Sequence, residues 1–293
     1  MPKNKKDQFV IAYLADLVGS TPVVDYARAL SSFLKKGLIL LFVCDKKYTK
    51  LSPTEAQSHL INIKNRYPDE DISFCALKGK TREVISLLPT ALGGVVVVAG
   101  VNKKASPLKP TNPRRVMHDF GLCRTAYLTV QLSRHPDPHC GLDQQSPHPS
   151  INLRDVAFRI DYNRESKEKL IWASYFARFN GSRLHVLHEQ YNDSGLRAKL
   201  DNNMRFLDKF FASLKVGYET EIMPSVANFP DREAAKQASQ KGYGLLVCLT
   251  TDTRELDVVD WFIGVQETRV VKNKQQLPVL FINPRDDLYV LCD

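Results

Sequence analysis

Apolar residues along this chain fall into two alternating patterns: short unbroken runs, and longer stretches with one apolar residue every three or four positions. The first pattern belongs to strands buried on both faces and the second to helices with one buried stripe. Phe9 to Ala15 opens as a strand, and Val23, Ala27, Leu30 and Leu34 mark a helix that Gly37 is expected to end. Leu38 to Cys44 is the next strand, followed by a helix from Pro53 with Ala56, Leu60, Ile63 and Tyr67 on one face. Strand Ile72 to Leu77, a helix carrying Ile85, Leu88 and Leu92, the valine run at 95–98, a helix over Pro113 to Phe120 and a strand over Thr125 to Val130 complete the series.

The same order then returns. A strand at 155–160 precedes a helix with Leu170, Ala173 and Ala177, then strand Arg183 to His188. The clearest amphipathic helix carries Leu196, Leu200, Met204, Leu207, Phe211 and Leu214. Strand Tyr218 to Met223, helix Asp231 to Gln240, strand Leu245 to Leu249, a further helix and strand Val279 to Ile282 follow. Ile11-Ala12-Tyr13-Leu14-Ala15-Asp16 answers to Val156-Ala157-Phe158-Arg159-Ile160-Asp161, Val95 to Gly100 to Leu245 to Thr250, and Ala126 to Gln131 to Pro278 to Asn283, at offsets of 145, 150 and 152. The chain is thus an internal duplication. Strands alternating with helices predict, in each half, a parallel sheet with helices on both faces. The stretch from Leu132 to Ser150 is rich in proline and poor in apolar residues, so the division is 1–132, a linker at 133–150, and 151–293.

Composition supports two cores. A length of 293 residues with 43% hydrophobic residues suffices for two domains of ordinary size. No run is long enough for a membrane span, and Met1 to Asp7 is basic and polar, so a cytoplasmic protein with no membrane partner is expected. Six dispersed cysteines without a CxxC pair read as reduced, mostly buried small hydrophobes. The formal charge of +9, concentrated in part at Lys46-Lys47, Lys103-Lys104 and Arg114-Arg115, favours anionic partners. Nucleic acid is disfavoured among them, because neither a recognition helix nor an aromatic and basic platform is legible.

The strand ending in Asp16 or Asp161, the Val-Val-Ala-Gly strand to Gly100 and the closing apolar strand make each half resemble a universal stress protein domain. The resemblance covers nearly the full length as a tandem member. It implies an adenine nucleotide alpha hydrolase-like, Rossmann-like α/β fold, five parallel strands per domain, and intrachain pairing of the two domains through their last strands, with a homodimer as a further possibility. It also implies a place for ATP at the carboxyl ends of the strands, the first-strand Asp touching the adenine end. There a glycine pattern after the fourth strand lets amides approach the phosphates.

Set against that pattern, the residues depart from it. In the first copy it falls on Gly100, Lys103 and Pro113-Arg114, and proline offers no amide proton. In the second copy it falls on Leu249, Asp252 and Gly264-Val265, with a carboxylate where a phosphate would lie. Asp16, Gly100, Lys103, Asp161 and Gly264 are therefore the nucleotide-binding candidates. Asp16 and Asp161 have a second reading as carboxylates that cap the following helix or close the strand turn. Lys78-Gly79-Lys80-Thr81 ends like a P-loop, yet Phe74 stands where its first glycine is required, so Gly79 reads as a strand-to-helix turn with Thr81 as N-cap.

His135, His139, Cys140 and His148 carry zinc-type donors at no standard spacing. His185 and His188 read as structural. No nucleophile elbow, HExxH helix or dinucleotide motif occurs, so no enzyme, metal or confident cofactor is expected. The reading is a stress-type regulatory or protective binding protein with nucleotide binding weak, altered or lost. Its alternatives are an ATP-binding signalling module using the basic loop Gly100 to Lys104, and a scaffold docking an unidentified protein on the tail Asp286 to Asp293.

Overall fold

The computed structural model describes residues 8–17, 19–132, 151–163, 167–224, 229–250, 266–273 and 276–283. The chain divides into two units at Ile151/Asn152. The first runs β1 (Phe9–Tyr13), α1 (Thr21–Leu34), β2 (Gly37–Cys44), α2 (Pro53–Lys64), β3 (Ile72–Lys78), α3 (Thr81–Ala91), β4 (Gly94–Val101), α4 (Pro113–Phe120) and β5 (Ala126–Gln131). Its strands lie in the order β3-β2-β1-β4-β5, every neighbouring pair parallel. Order reverses between β1 and β4, so the carboxyl ends of these two strands flank a topological switch point. The valine run sits where its pattern requires: Val96, Val97 and Val98 are fully buried in β4, between β1 and β5.

The second unit repeats the plan: β6 (Asp155–Arg159), α5 (Glu168–Asn180), β7 (Arg183–His188), α6 (Ser194–Leu214), β8 (Glu219–Ile222), α7 (Pro230–Gln240), β9 (Leu245–Leu249), α8 (Gln266–Val271) and β10 (Val279–Ile282). Its order, β10-β9-β6-β7-β8, matches that of the first unit strand for strand and is again parallel. Each unit is thus a five-stranded α/β fold, with the switch point of the second between β6 and β9.

Three local details differ from the sequence expectation. α1 is terminated by Lys35 in the left-handed region at φ 55°, and Gly37 instead begins β2, where a Cβ would lie 2.6 Å from the Phe9 ring. Thr81 is the first residue inside α3, and the acceptor for its amide is Asp45 Oδ2 at 2.8 Å, supplied from the end of β2. In α6 the fully buried stripe is Leu200, Asn203, Leu207 and Phe211, so a polar side chain holds a position that an apolar pattern overlooks.

Among the described residues no helix is long and apolar enough to cross a membrane. Cys44, Cys123 and Cys248 are buried free thiols and Cys75 is half-buried, while Cys140 and Cys292 lie outside the described residues.

Candidate functional site

The switch point of the first unit is closed. Asp16, Ser20, Gly100, Thr111 and Leu132 surround a space with no room for a water molecule. Leu132 fills it, its Cδ2 lying 2.6 Å from where a Cβ on Gly100 would be. The Leu132 amide donates to the Val101 carbonyl at 2.8 Å, which fixes the side chain over the strand end. Asp16 is exposed at the end of β1, and Ser20, not Asp16, is the N-cap residue of α1.

The loop from β4 to α4, where phosphate-facing amides would stand, is bonded to itself. Asn102 donates to the Thr111 carbonyl at 2.8 Å, Ala105 to the Asn102 carbonyl at 3.0 Å, and Asn112 to the Lys109 carbonyl at 3.1 Å. The Lys104 amide donates to Asn102 Oδ1 at 3.0 Å, and the Arg114 amide to Asn112 Oδ1 at 3.0 Å, which caps α4. Such Asx turns give the loop its own rigid closure. Lys103 is partly buried there, and that desolvation lowers its ammonium pKa.

In the second unit Asp161 is 4% exposed. Its Oδ2 lies 2.8 Å from Arg159 Nη2, its Oδ1 accepts from the Asn163 amide at 2.9 Å, and its carbonyl accepts from Asn203 Nδ2 at 2.7 Å. Arg159, at the end of β6, also donates from Nε to Asp231 Oδ1 at 2.7 Å, near the start of α7. The buried Lys169 stands in this charged cluster: desolvation lowers its pKa, with Arg159 adding repulsion. Asp161 thus closes the strand turn and pairs with a buried guanidinium. Gly264 and Asp252 lie outside the described residues, as do His135, His139, Cys140, His148 and the tail from Asp286. His185 is buried on β7, with Nε2 2.9 Å from Asp155 Oδ1 and its ring stacked on Tyr243 at 4.0 Å.

The open concavity of the first unit lies one strand away from the switch point, beyond the carboxyl ends of β2 and β3. It encloses 680 Å³ and is lined by residues 44–48, 78–80, 82 and 83 together with Arg115, His118 and Asp119 of α4. That volume is within the roughly 300–1,000 Å³ of small-molecule sites. Six cations line it: Lys46, Lys47, Lys78, Lys80, Arg82 and Arg115. Its three carboxylates are engaged by protein. Asp45 accepts from the amides of Lys47 and Thr81, Glu83 pairs with Lys80 at 2.9 Å, and Asp119 contacts His118.

Arg82 Nη1 is 3.1 Å from His118 Nε2, and His118 Nδ1 is 3.0 Å from Asp119 Oδ1. A guanidinium only donates, so Nε2 accepts and the ring proton is on Nδ1, directed at Asp119. Burial pushes the Asp119 carboxyl up, with His118 opposing the shift. The Tyr48 phenol, raised to about 12 chiefly by burial, forms a wall with Lys47 and Arg115 at 5.6 and 5.9 Å from its ring centre. The sequence presents these cations as separate pairs, Lys46-Lys47, Lys78 with Lys80, and Arg114-Arg115. Parallel β2 and β3 bring the first two together, and α4 adds Arg115.

Neither a family model nor a curated protein matches the sequence. Solved structures do match the fold. A universal stress protein from Archaeoglobus fulgidus DSM 4304 is 14% identical with a TM-score of 0.61, over 95% of this chain and 97% of that one. A putative universal stress protein from Pseudomonas aeruginosa UCBPP-PA14 is 15% identical with a TM-score of 0.61, over 98% and 96%. The cytoplasmic domain of a prokaryotic cation chloride cotransporter matches at 11% identity and a TM-score of 0.53, over 97% and 100%. The closed switch point and the displaced basic cleft are therefore carried on the fold of the universal stress proteins, which this chain has over nearly its whole length.

Proposed function

We propose that this chain is a regulatory or protective binding protein of the universal stress type, acting in the cytoplasm, in which the switch-point position of the first unit no longer takes ATP. The observation that carries this reading is Leu132 seated against Gly100 in a space without room for water. A nucleotide entering there would displace the half-buried Leu132 and would meet Pro113, which has no amide to offer. Asn102, Lys104, Ala105, Asn112 and Arg114 would have to give up bonds made within their own loop. Asp161 supports the same reading for the second unit, since freeing its carboxylate for a ligand would take from the buried Arg159 one of its carboxylate partners and leave it on Asp231.

Calorimetric titration of the purified chain with ATP and Mg²⁺ tests the reading, with Asp16→Ala and Asp161→Ala alongside. The expected outcome is that neither substitution changes whatever heat is observed. Micromolar binding that either one abolishes would refute it.

A further inference from the structure

We propose that the cleft at the carboxyl ends of β2 and β3 binds a phosphate-bearing small molecule, held by Lys46, Lys78 and Arg115 with Tyr48 as a wall. The proposal rests on the reading above only in placing the ligand away from Asp16. Its first support is charge: cations from three sequence-distant stretches converge on one 680 Å³ concavity. Among the described residues, none of Lys46, Lys47, Lys78 and Arg115 has a carboxylate within 4.0 Å. Like charges gathered in a concavity repel one another, and a bound polyanion removes that repulsion.

The second support is that each acid of the cleft is already engaged within the protein and that the six cations outnumber the three acids, which leaves the cleft net positive. Asp45 accepts the first amide of α3, Glu83 holds Lys80, and Asp119 Oδ1 accepts a hydrogen bond from His118 Nδ1. The third is Arg82, whose Nη1 is held 3.1 Å from His118 Nε2, so its charge is fixed at the wall of the cleft. Recognition of this kind is of the phosphate group, by charge and by the planar guanidinium fork of Arg115. A ring on the ligand would lie along Tyr48.

Titrating the full chain with pyrophosphate and with ADP at low salt, without and then with added NaCl, tests this. The expected result is micromolar binding that weakens with salt and falls at least tenfold in Lys78→Glu and in Arg115→Glu. Arg115→Lys, which keeps the charge and loses the fork, should fall between the wild type and Arg115→Glu, and Asp16→Ala should retain all of it. Tighter binding of ADP than of pyrophosphate assigns a ring contact, and equal binding assigns recognition to phosphate alone. Circular dichroism and melting of each variant confirm that the fold is kept.

Binding of neither probe overturns the cleft proposal and leaves the closed switch point standing. Binding unaffected by both charge reversals overturns it too. Loss in Asp16→Ala alone overturns the cleft and the closed switch point together.

Discussion

Arg159 joins the two acids of the charged core of the second unit. It occupies the strand position after Phe158, between Asp161 at 2.8 Å and Asp231 at 2.7 Å. Removing it takes from two partly or fully buried carboxylates the guanidinium they share, with Lys169 left as the cation of the cluster. Arg159→Ala should therefore cost about 3 kcal/mol, the range in which breaking one side of a buried ion pair falls. A urea melt reads this directly, and a loss below about 1 kcal/mol would mean that water reaches the acids. Asp155 gives a pH-dependent counterpart. Burial pushes its carboxyl up, but hydrogen bonds from Arg183 and His185 outweigh this and hold it below the ordinary value. A carboxyl depressed in the folded state contributes stability that is complete above its unfolded pKa of about 4 and is lost as pH falls through the folded value. Asp155→Asn should flatten the decline of melting temperature between about pH 5 and pH 2, and an unchanged slope would assign that decline to other acids.

At the scale of elements, strands and helices were legible because their apolar periods, two kinds in strict alternation, leave few other solutions. What ends or pins an element was less so. The α3 amide is capped from β2 by Asp45, and no local signal marks a cap that comes from 36 positions away. Asn203 sits in the buried stripe of α6 because its amide group donates to the carbonyls of Asp161 at 2.7 Å and Asn163 at 2.8 Å. It ties the turn after β6 to the helix, which a periodicity of apolar residues passes over. Gly244, before β9, is set by approach rather than by conformation. A Cβ there would lie 1.7 Å from the Asn152 carbonyl oxygen, a backbone atom that cannot rotate away. Gly244→Ala should lower stability by about 1–3 kcal/mol, the cost of forcing a methyl group into packed structure. Thermal unfolding beside the wild type checks it, and an unchanged midpoint would show that the Asn152 segment moves aside freely.

For the molecule as a whole, the duplicated order of signals determined that each unit is a parallel α/β sheet, and the structure gave its strand order. Buried strands and one-sided helices impose a parallel sheet, and right-handed crossovers narrow its strand order to a handful. The missing glycines, Pro113 and the scattered basic pairs were equally visible as residues. Their meaning was not. That Leu132 folds back onto Gly100 depends on the hydrogen bond from its amide to Val101, which exists only once β4 has a neighbour to the end of β5. That Lys46, Lys78 and Arg115 share one cleft depends on β2 lying beside β3 and on α4 crossing near their ends. The sequence by itself determined which segments are buried, since hydrophobic periodicity is local. Only the tertiary structure decided which site is closed and where the charges meet, because contacts between residues distant in the chain are set by packing.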